Sequence, residues 1–376
     1  MNQSFDAFPA QPFGENSVPS SLKGLIAMFI RSFLAIAVSL VAIGQAQAAD
    51  SYITTEQFGT ANTLTASQAG DSLGIAVSQG GSDNEISIDQ SGQGSTIRSN
   101  QQGEGNYQRV YQYNSYEEYS GNHSATIDQV GGYNTAVVLQ GDDAWHAASI
   151  TQDGERNTLT LEQSVRVNNF LGSQSGTGNQ AAVIQEGGAS AEISQTGTNN
   201  TLNLHQTAWP FGAGTSITQT GDANVADVRQ TDAGRYSGGD VNLTQSGAAN
   251  EAEIDATGAW SVLDFAQSGT GNQLTVDQSG RNTSITGTSN GDNNRVDIDQ
   301  TGDVNVLELA QDGSDNVIEA RQGGWWGEGD IGTISQIGTA NFASLTQNLT
   351  TQGSPTNVAT ILQNGMNNSA TVVQGQ

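Results

Sequence analysis

Between Asn294 and Gln322 one short phrase is written three times without a spacer: NRVDIDQTGDV, NVLELAQDGSD and NVIEARQ. In each copy an Asn, two apolar residues and a Gln fall on alternate positions: Asn294, Val296, Ile298, Gln300; then Asn305, Leu307, Leu309, Gln311; then Asn316, Ile318, Ala320, Gln322. A period of two over seven residues predicts a β-strand with one buried face. Gly302 and Gly313 fall between the copies, where a tight turn needs a residue free to take positive φ, so the unit is strand, turn, strand with a period of eleven. Charge obeys the same alternation. The inward series Asn84, Ile86, Ile88, Gln90 and Asn250, Ala252, Ile254, Ala256 are interleaved with Glu85, Ser87, Asp89 and with Glu251, Glu253, Asp255. A dry core under one face demands this, because an unpaired buried carboxylate is too costly.

The phrase recurs along most of the chain. Strands opening on Asn begin at Asn62, Asn84, Asn106, Asn134, Asn157, Asn179, Asn200, Asn224, Asn250, Asn272, Asn294, Asn305, Asn316, Asn341, Asn357 and Asn368. Between them lie weaker strands that also end on Gln, such as those ending at Gln79, Gln129, Gln195 and Gln245. Most neighbours are 21 to 26 residues apart, which predicts an all-β solenoid with two strands per rung of about 22 residues and about 15 rungs. Gly131, Gly176, Gly221, Gly338 and Gly365 take the turn position of Gly302 and Gly313.

Inward Asn and Gln have a physical use. A primary amide carries both donors and acceptors, so identical amides stacked at the strand spacing of about 4.7 Å can bond to the copies above and below. The expected stacking positions are Gln57, Asn62, Gln79, Asn84, Gln129, Asn134, Gln140, Gln152, Asn157, Gln174, Asn179, Gln185, Gln195, Asn200, Gln219, Asn224, Gln245 and Asn250. They continue through Gln267, Asn272, Asn294, Gln300, Asn305, Gln311, Asn316, Gln322, Gln336, Asn341, Gln363, Asn368 and Gln374.

Composition narrows the function. Gly makes up 47 of 376 residues and charged residues only 13%, too polar for a conventional core and too regular for disorder. Without cysteine there is no disulfide framework and no thiolate metal site. The net charge of −27 argues against nucleic acid and anionic membranes as partners, since both need basic patches. Lys23 and Arg31 precede the apolar run Phe33 to Ile43 and the small-residue pattern Ala46-Gln47-Ala48. Residues 1–48 therefore read as a secretory signal peptide with an extended n-region, leaving residues 49–376 as the exported repeat solenoid.

No catalytic or metal constellation emerges, so no enzyme activity and no cofactor are expected. His123, His146 and His205 lack a second ligand at metal spacing, the carboxylates are spread over many rungs, and no Thr-x-Thr ladder of the ice-binding kind runs through the chain. Spacing stretches at Tyr107 to Asn122, Trp209 to Gly214, Asp232 to Gly239 and Gly323 to Gly332, and these insertions collect the aromatics. Tyr111, Tyr113, Tyr116, Trp325 and Trp326 are candidates for stacking on matrix polysaccharide, against the plainer role of covering the solenoid flank.

The pattern Q-x-G-x-x-N-x-A-x-x-x-Q resembles the curlin repeat of bacterial curli. It is met at each fixed position by Gln129 to Gln140, Gln174 to Gln185, Gln219 to Gln230, Gln336 to Gln347 and Gln363 to Gln374. The resemblance implies a solenoid that polymerises with itself into extracellular, cell-surface amyloid fibres serving adhesion and biofilm cohesion. It also implies a nucleator subunit and a curli-type secretion system as partners. A secreted monomeric adhesin that grips glycans through its aromatic loops is the alternative. Leu64, Leu159, Leu202, Leu274 and Leu307 depart from the pattern, each replacing its Ala.

Overall fold

The computed structural model describes residues 39–42, 50–114, 122–142, 145–208, 212–231, 238–324, 329–348 and 356–375. Most of the segment expected to be a signal peptide lies outside them. Its one described element is the short strand β1 (Ser39–Ala42). From β2 (Tyr52–Thr60) and β3 (Thr63–Asp71) to β28 (Val358–Met366) and β29 (Ser369–Gly375) the described chain is strand joined to strand. Even-numbered strands form one parallel sheet of 14 members and odd-numbered strands another of 15, the extra member being β1 against β3. Each rung takes one strand from each sheet, so the 28 strands from β2 onward make 14 rungs, against about 15 expected from spacing. The chain is an all-β, two-sheet parallel β-solenoid.

Alternation determines which side faces in. The even-numbered strand Ser190–Thr198, for example, buries Ala191, Ile193 and Gln195 and exposes Ser190, Glu192 and Thr196. Partners align residue for residue, Gln174 beside Gln195 and Gly176 beside Gly197, so every side chain stacks on its equivalent one rung away. The two inner faces meet in one continuous apolar core from Leu64 to Ile361. Its largest side chains, Phe170 and Phe265, sit beside glycines. A Cβ on Gly172 would lie 2.6 Å from the Phe170 ring, and one on Gly287 would lie 2.2 Å from the Phe265 ring. Large and small thus alternate so that sheet separation stays constant.

The two corners of the rung differ. At the corner leading into each Asn, a glycine recurs without exception through 14 rungs, from Gly59 to Gly365, with φ between +103° and +124°. From Gly59 to Gly338 a Cβ at any of them would lie 1.9 to 2.1 Å from the carbonyl oxygen of the next, so the column excludes side chains by contact as well as by conformation. Gly131, Gly176, Gly221, Gly313, Gly338 and Gly365 belong to this column, whereas Gly302, at φ +87°, turns the opposite corner.

All insertions lie at that opposite corner, between an odd-numbered strand and the following even one. They are shorter than spacing suggested. Tyr107–Gln112 is a strand rather than the start of a loop, because Gln108, Val110 and Gln112 keep the inward alternation. Likewise Gly214 opens a strand and Gly332 lies within one.

Gly154→Ala should lower stability by about 2 kcal/mol or more, since it meets the Gly176 carbonyl at positive φ. Gly80→Ala, with nothing within 4 Å of its Cβ, should be neutral or slightly stabilising. Thermal melts of the two freshly desalted variants give the comparison.

Candidate functional site

Three polar ladders run the length of the solenoid. The first lines the even-numbered sheet. Each Gln donates Nε2–H to Oε1 of the Gln one rung toward the C-terminus, from Gln79 to Gln101, Gln129, Gln152, Gln174, Gln195, Gln219, Gln245 and Gln267, at 2.7 to 3.0 Å. The second lines the odd-numbered sheet from Gln68 through Gln90, Gln112, Gln140, Gln163, Gln185 and Gln206 to Gln230, with the same direction. It resumes from Gln278 through Gln300, Gln322 and Gln347 to Gln374. The remaining Nε2–H crosses to the other sheet, as from Gln174 to the Thr158 carbonyl at 2.9 Å, so each amide also ties the two layers together.

The third ladder is Asn at all 14 rungs from Asn62 to Asn368, and it runs the other way. Oδ1 of Asn157 accepts both the backbone N–H and Nδ2–H of Asn179 at 3.1 Å. Nδ2 of Asn179 also donates to the carbonyls of Ser175 and Gly197. Each Asn therefore satisfies backbone groups of its own rung and the next.

The expected stacking residues thus fall into separate columns. Gln57, Gln79, Gln129, Gln152, Gln174, Gln195, Gln219, Gln245, Gln267, Gln311, Gln336 and Gln363 share the even-numbered sheet, and Gln140, Gln185, Gln300, Gln322 and Gln374 share the odd-numbered one. Asn305 joins neither the Asn ladder nor its neighbours Asn294 and Asn316; it lies at the opposite corner. Gln68, Gln90, Gln101, Asn106, Gln112, Gln163, Gln206, Gln230, Gln278 and Gln347 complete the columns beyond the stacking positions expected from sequence, although the same seven-residue phrase contains most of them. Each Gln ladder is interrupted once. Ala256 takes one place, and Gln230 turns its amide to the Gly239 carbonyl. Ser289 takes another and donates to Gln311 at 3.2 Å.

The opposite corner carries a fourth column with no fixed residue type. Ser95, His123, His146 and Asn168 each accept the backbone N–H of the next rung, through Oγ, Nδ1, Nδ1 and Oδ1. The two imidazoles are buried and stacked, centroids 5.0 Å apart and planes at 4°. Their Nε2 atoms donate to loop carbonyls, His146 to Gly141 at 2.8 Å and His123 to Tyr113 at 3.3 Å, which fixes both as neutral rings. Burial lowers both pKa values, that of His146 to about 4. Further along, Asp330 accepts from Asn357 at 2.9 Å while its Oδ2 is buried without a partner, and burial raises its pKa.

On the outer face of the odd-numbered sheet, Asp255, Asp277 and Asp299 stand in register, flanked by Arg229 and Arg321. Burial first, then the two neighbouring carboxylates, raises the pKa of Asp277. Among the candidate surface aromatics, Tyr111 lies on a strand and its ring is 5.3 Å from that of Tyr113. Tyr113 fills the space above Gly141 and its pKa is raised by burial, so this pair covers the flank. Tyr116, Trp325 and Trp326 lie outside the described residues. Among the described residues no cluster of His and carboxylates could hold a metal ion.

The arrangement defines a class, a parallel solenoid whose inner faces are built for stacking on copies of themselves. The family model of the curlin associated repeat matches residues 59–92, a stretch running from Gly59 to Gly92 through Asn62, Gln68, Gln79, Asn84 and Gln90. No curated protein matches the chain. Over that stretch the chain thus carries a curlin associated repeat.

Replacing Asn179 by Leu should cost about 2 to 4 kcal/mol, since it orphans both amide and backbone groups; Gln174→Leu should cost about 1 to 3 kcal/mol. Equilibrium urea unfolding of the two variants tests that order. The His pair makes a second expectation. With a folded pKa of about 4 against 6.5 unfolded, His146 contributes up to about 3 kcal/mol that is present above pH 6.5 and lost as pH falls toward 4. His146→Asn, which continues the column from Asn168 without a titrating ring, should remove that loss when melts at pH 7 and pH 4.5 are compared with wild type.

Proposed function

We propose that the secreted chain, residues 49–376, is a structural subunit of extracellular curli-like amyloid fibres, joining head to tail and supporting adhesion and biofilm cohesion. The carrying observation is Gln57 Oε1, a buried acceptor at the first rung with no partner. Each Gln–Gln bond of the two ladders has its donor on the N-terminal side, so the last members, Gln363 and Gln374, present the Nε2 groups that a following copy's Gln57 and Gln68 need. Every Asn donates toward the N-terminus, so Asn368 Oδ1 awaits the Asn62 of that copy. Donors and acceptors match in all three ladders only when the copies point the same way.

The first rung's edge already receives a parallel strand from outside the repeat, β1 on β3, with Leu40 beside Leu64 and Ala42 beside Ala66. Cleavage after Ala48 would vacate that edge for the last strand of another copy. A bacterial secretion system of the curli type and a nucleating subunit are the partners this reading requires.

Purified residues 49–376 should show a lag and then form fibrils with reflections near 4.7 and 10 Å, the strand and sheet spacings. A chain that keeps a β-rich spectrum and stays monomeric for days at high concentration overturns the reading.

A further inference from the structure

Outward positions of the even-numbered sheet are mostly Ser, Thr, Asn and Asp, and its interior strands carry large exposed apolar side chains singly, at Val130, Leu171 and Val262. The two ends differ. At the C-terminal end, β26 (Ile331–Thr339) and β28 expose Ile331, Ile337, Val358, Leu362 and Met366, between 41% and 73% accessible. At the N-terminal end, β2 exposes Tyr52 at 57% and Phe58 at 60%. Both clusters lie on the same face of the same sheet, and neither contributes to the core.

Register brings them together. Gly59 of β2 and Gly365 of β28 occupy one column, so continuing the sheet across a head-to-tail junction sets Tyr52 of the next copy opposite Val358 and Phe58 opposite Asn364. Phe58 then has Leu362 and Met366 as its diagonal neighbours, within reach of an aromatic ring. Glu56 falls opposite Leu362, with its methylene stem against the apolar surface and its carboxylate free to reach solvent.

We infer that these side chains close into an apolar clasp over the outside of the subunit junction, the partner being a second copy of this chain. The inference rests on the head-to-tail reading above and adds to it the surface that selects this chain as its own neighbour. The inner ladders repeat at every rung and would accept any curlin-like edge, whereas the clasp exists only where the first and last rungs of this chain meet. It also accounts for apolar groups that would otherwise be an exposed liability at a sheet end.

The test is seeded elongation of wild-type fibrils by three soluble chains: wild type, the end variant Val358→Asp/Leu362→Asp, and the central variant Thr244→Asp/Thr288→Asp. All four substitutions are outward and exposed, so the monomer spectra and melting temperatures should match wild type. The end variant should elongate slower by about tenfold or more, through lost apolar burial and buried charge, and the central variant within about twofold of wild type. An end variant that elongates at the wild-type rate, or two variants slowed equally, overturns the clasp while leaving head-to-tail assembly standing. Wild-type chains that do not add to seeds overturn the head-to-tail reading itself. Because the chain has no cysteine, Glu56→Cys/Leu362→Cys checks the register separately. Its oxidised fibrils should resolve into a ladder of disulfide-linked multimers, and normally grown fibrils that yield monomer alone overturn the clasp.

Discussion

A buried primary amide has two N–H groups and an oxygen to satisfy, and that need organises this molecule. An in-register parallel stack answers it, because the equivalent amide lies about 4.8 Å away on each side. A slip of one residue would turn every amide to solvent and bring Asp297 and Asp299 into the core. The ladders therefore fix register as firmly as the apolar columns beside them. Their exceptions follow the same logic. Most of the ladder Asn side chains, Asn179 among them, serve two backbone carbonyls and accept the N–H of the next rung, so none of the 14 is replaced. A Gln bonds mainly to its own kind, so Ala256 and Ser289 each interrupt one ladder with the loss of one or two side-chain hydrogen bonds.

The strands, the two-strand rung and the inward amides are legible in the sequence, since a period of two with charge confined to alternate positions is the mark of a half-buried strand and of little else. The columns are less legible. Asn305 opens the same phrase as Asn294 and Asn316, yet an eleven-residue step is half a rung, so it turns the opposite corner. The fourth column is hidden for a different reason. Ser95, His123, His146, Asn168 and Asp330 share no residue type; what recurs is a buried side chain that can bond to the backbone or side chain one rung away, and no alphabet of motifs records that. Tyr107–Gln112 reads as loop because five tyrosines crowd residues 107–119, although Gln108, Val110 and Gln112 still alternate.

The buried His pair shows how tolerant that fourth column is. A neutral imidazole has one acceptor and one donor, enough to replace the Ser or Asn oxygen while its Nε2 holds the adjoining loop by a carbonyl. The exchange couples a local loop contact to proton concentration, which the Asn corner never does.

That all insertions emerge at one corner divides the chain into two regimes of inheritance. At the glycine corner a single added residue would shift every downstream side chain to the wrong face, so its length is frozen from Gly59 to Gly365. At the other corner residues can be gained or lost between the end of one strand and the start of the next without disturbing any column. Along a filament these variable segments would form a single fringe, spaced at rung intervals and backed by a bare spine. Such a filament could change what its surface displays through many generations while the machinery that stacks it stays the same.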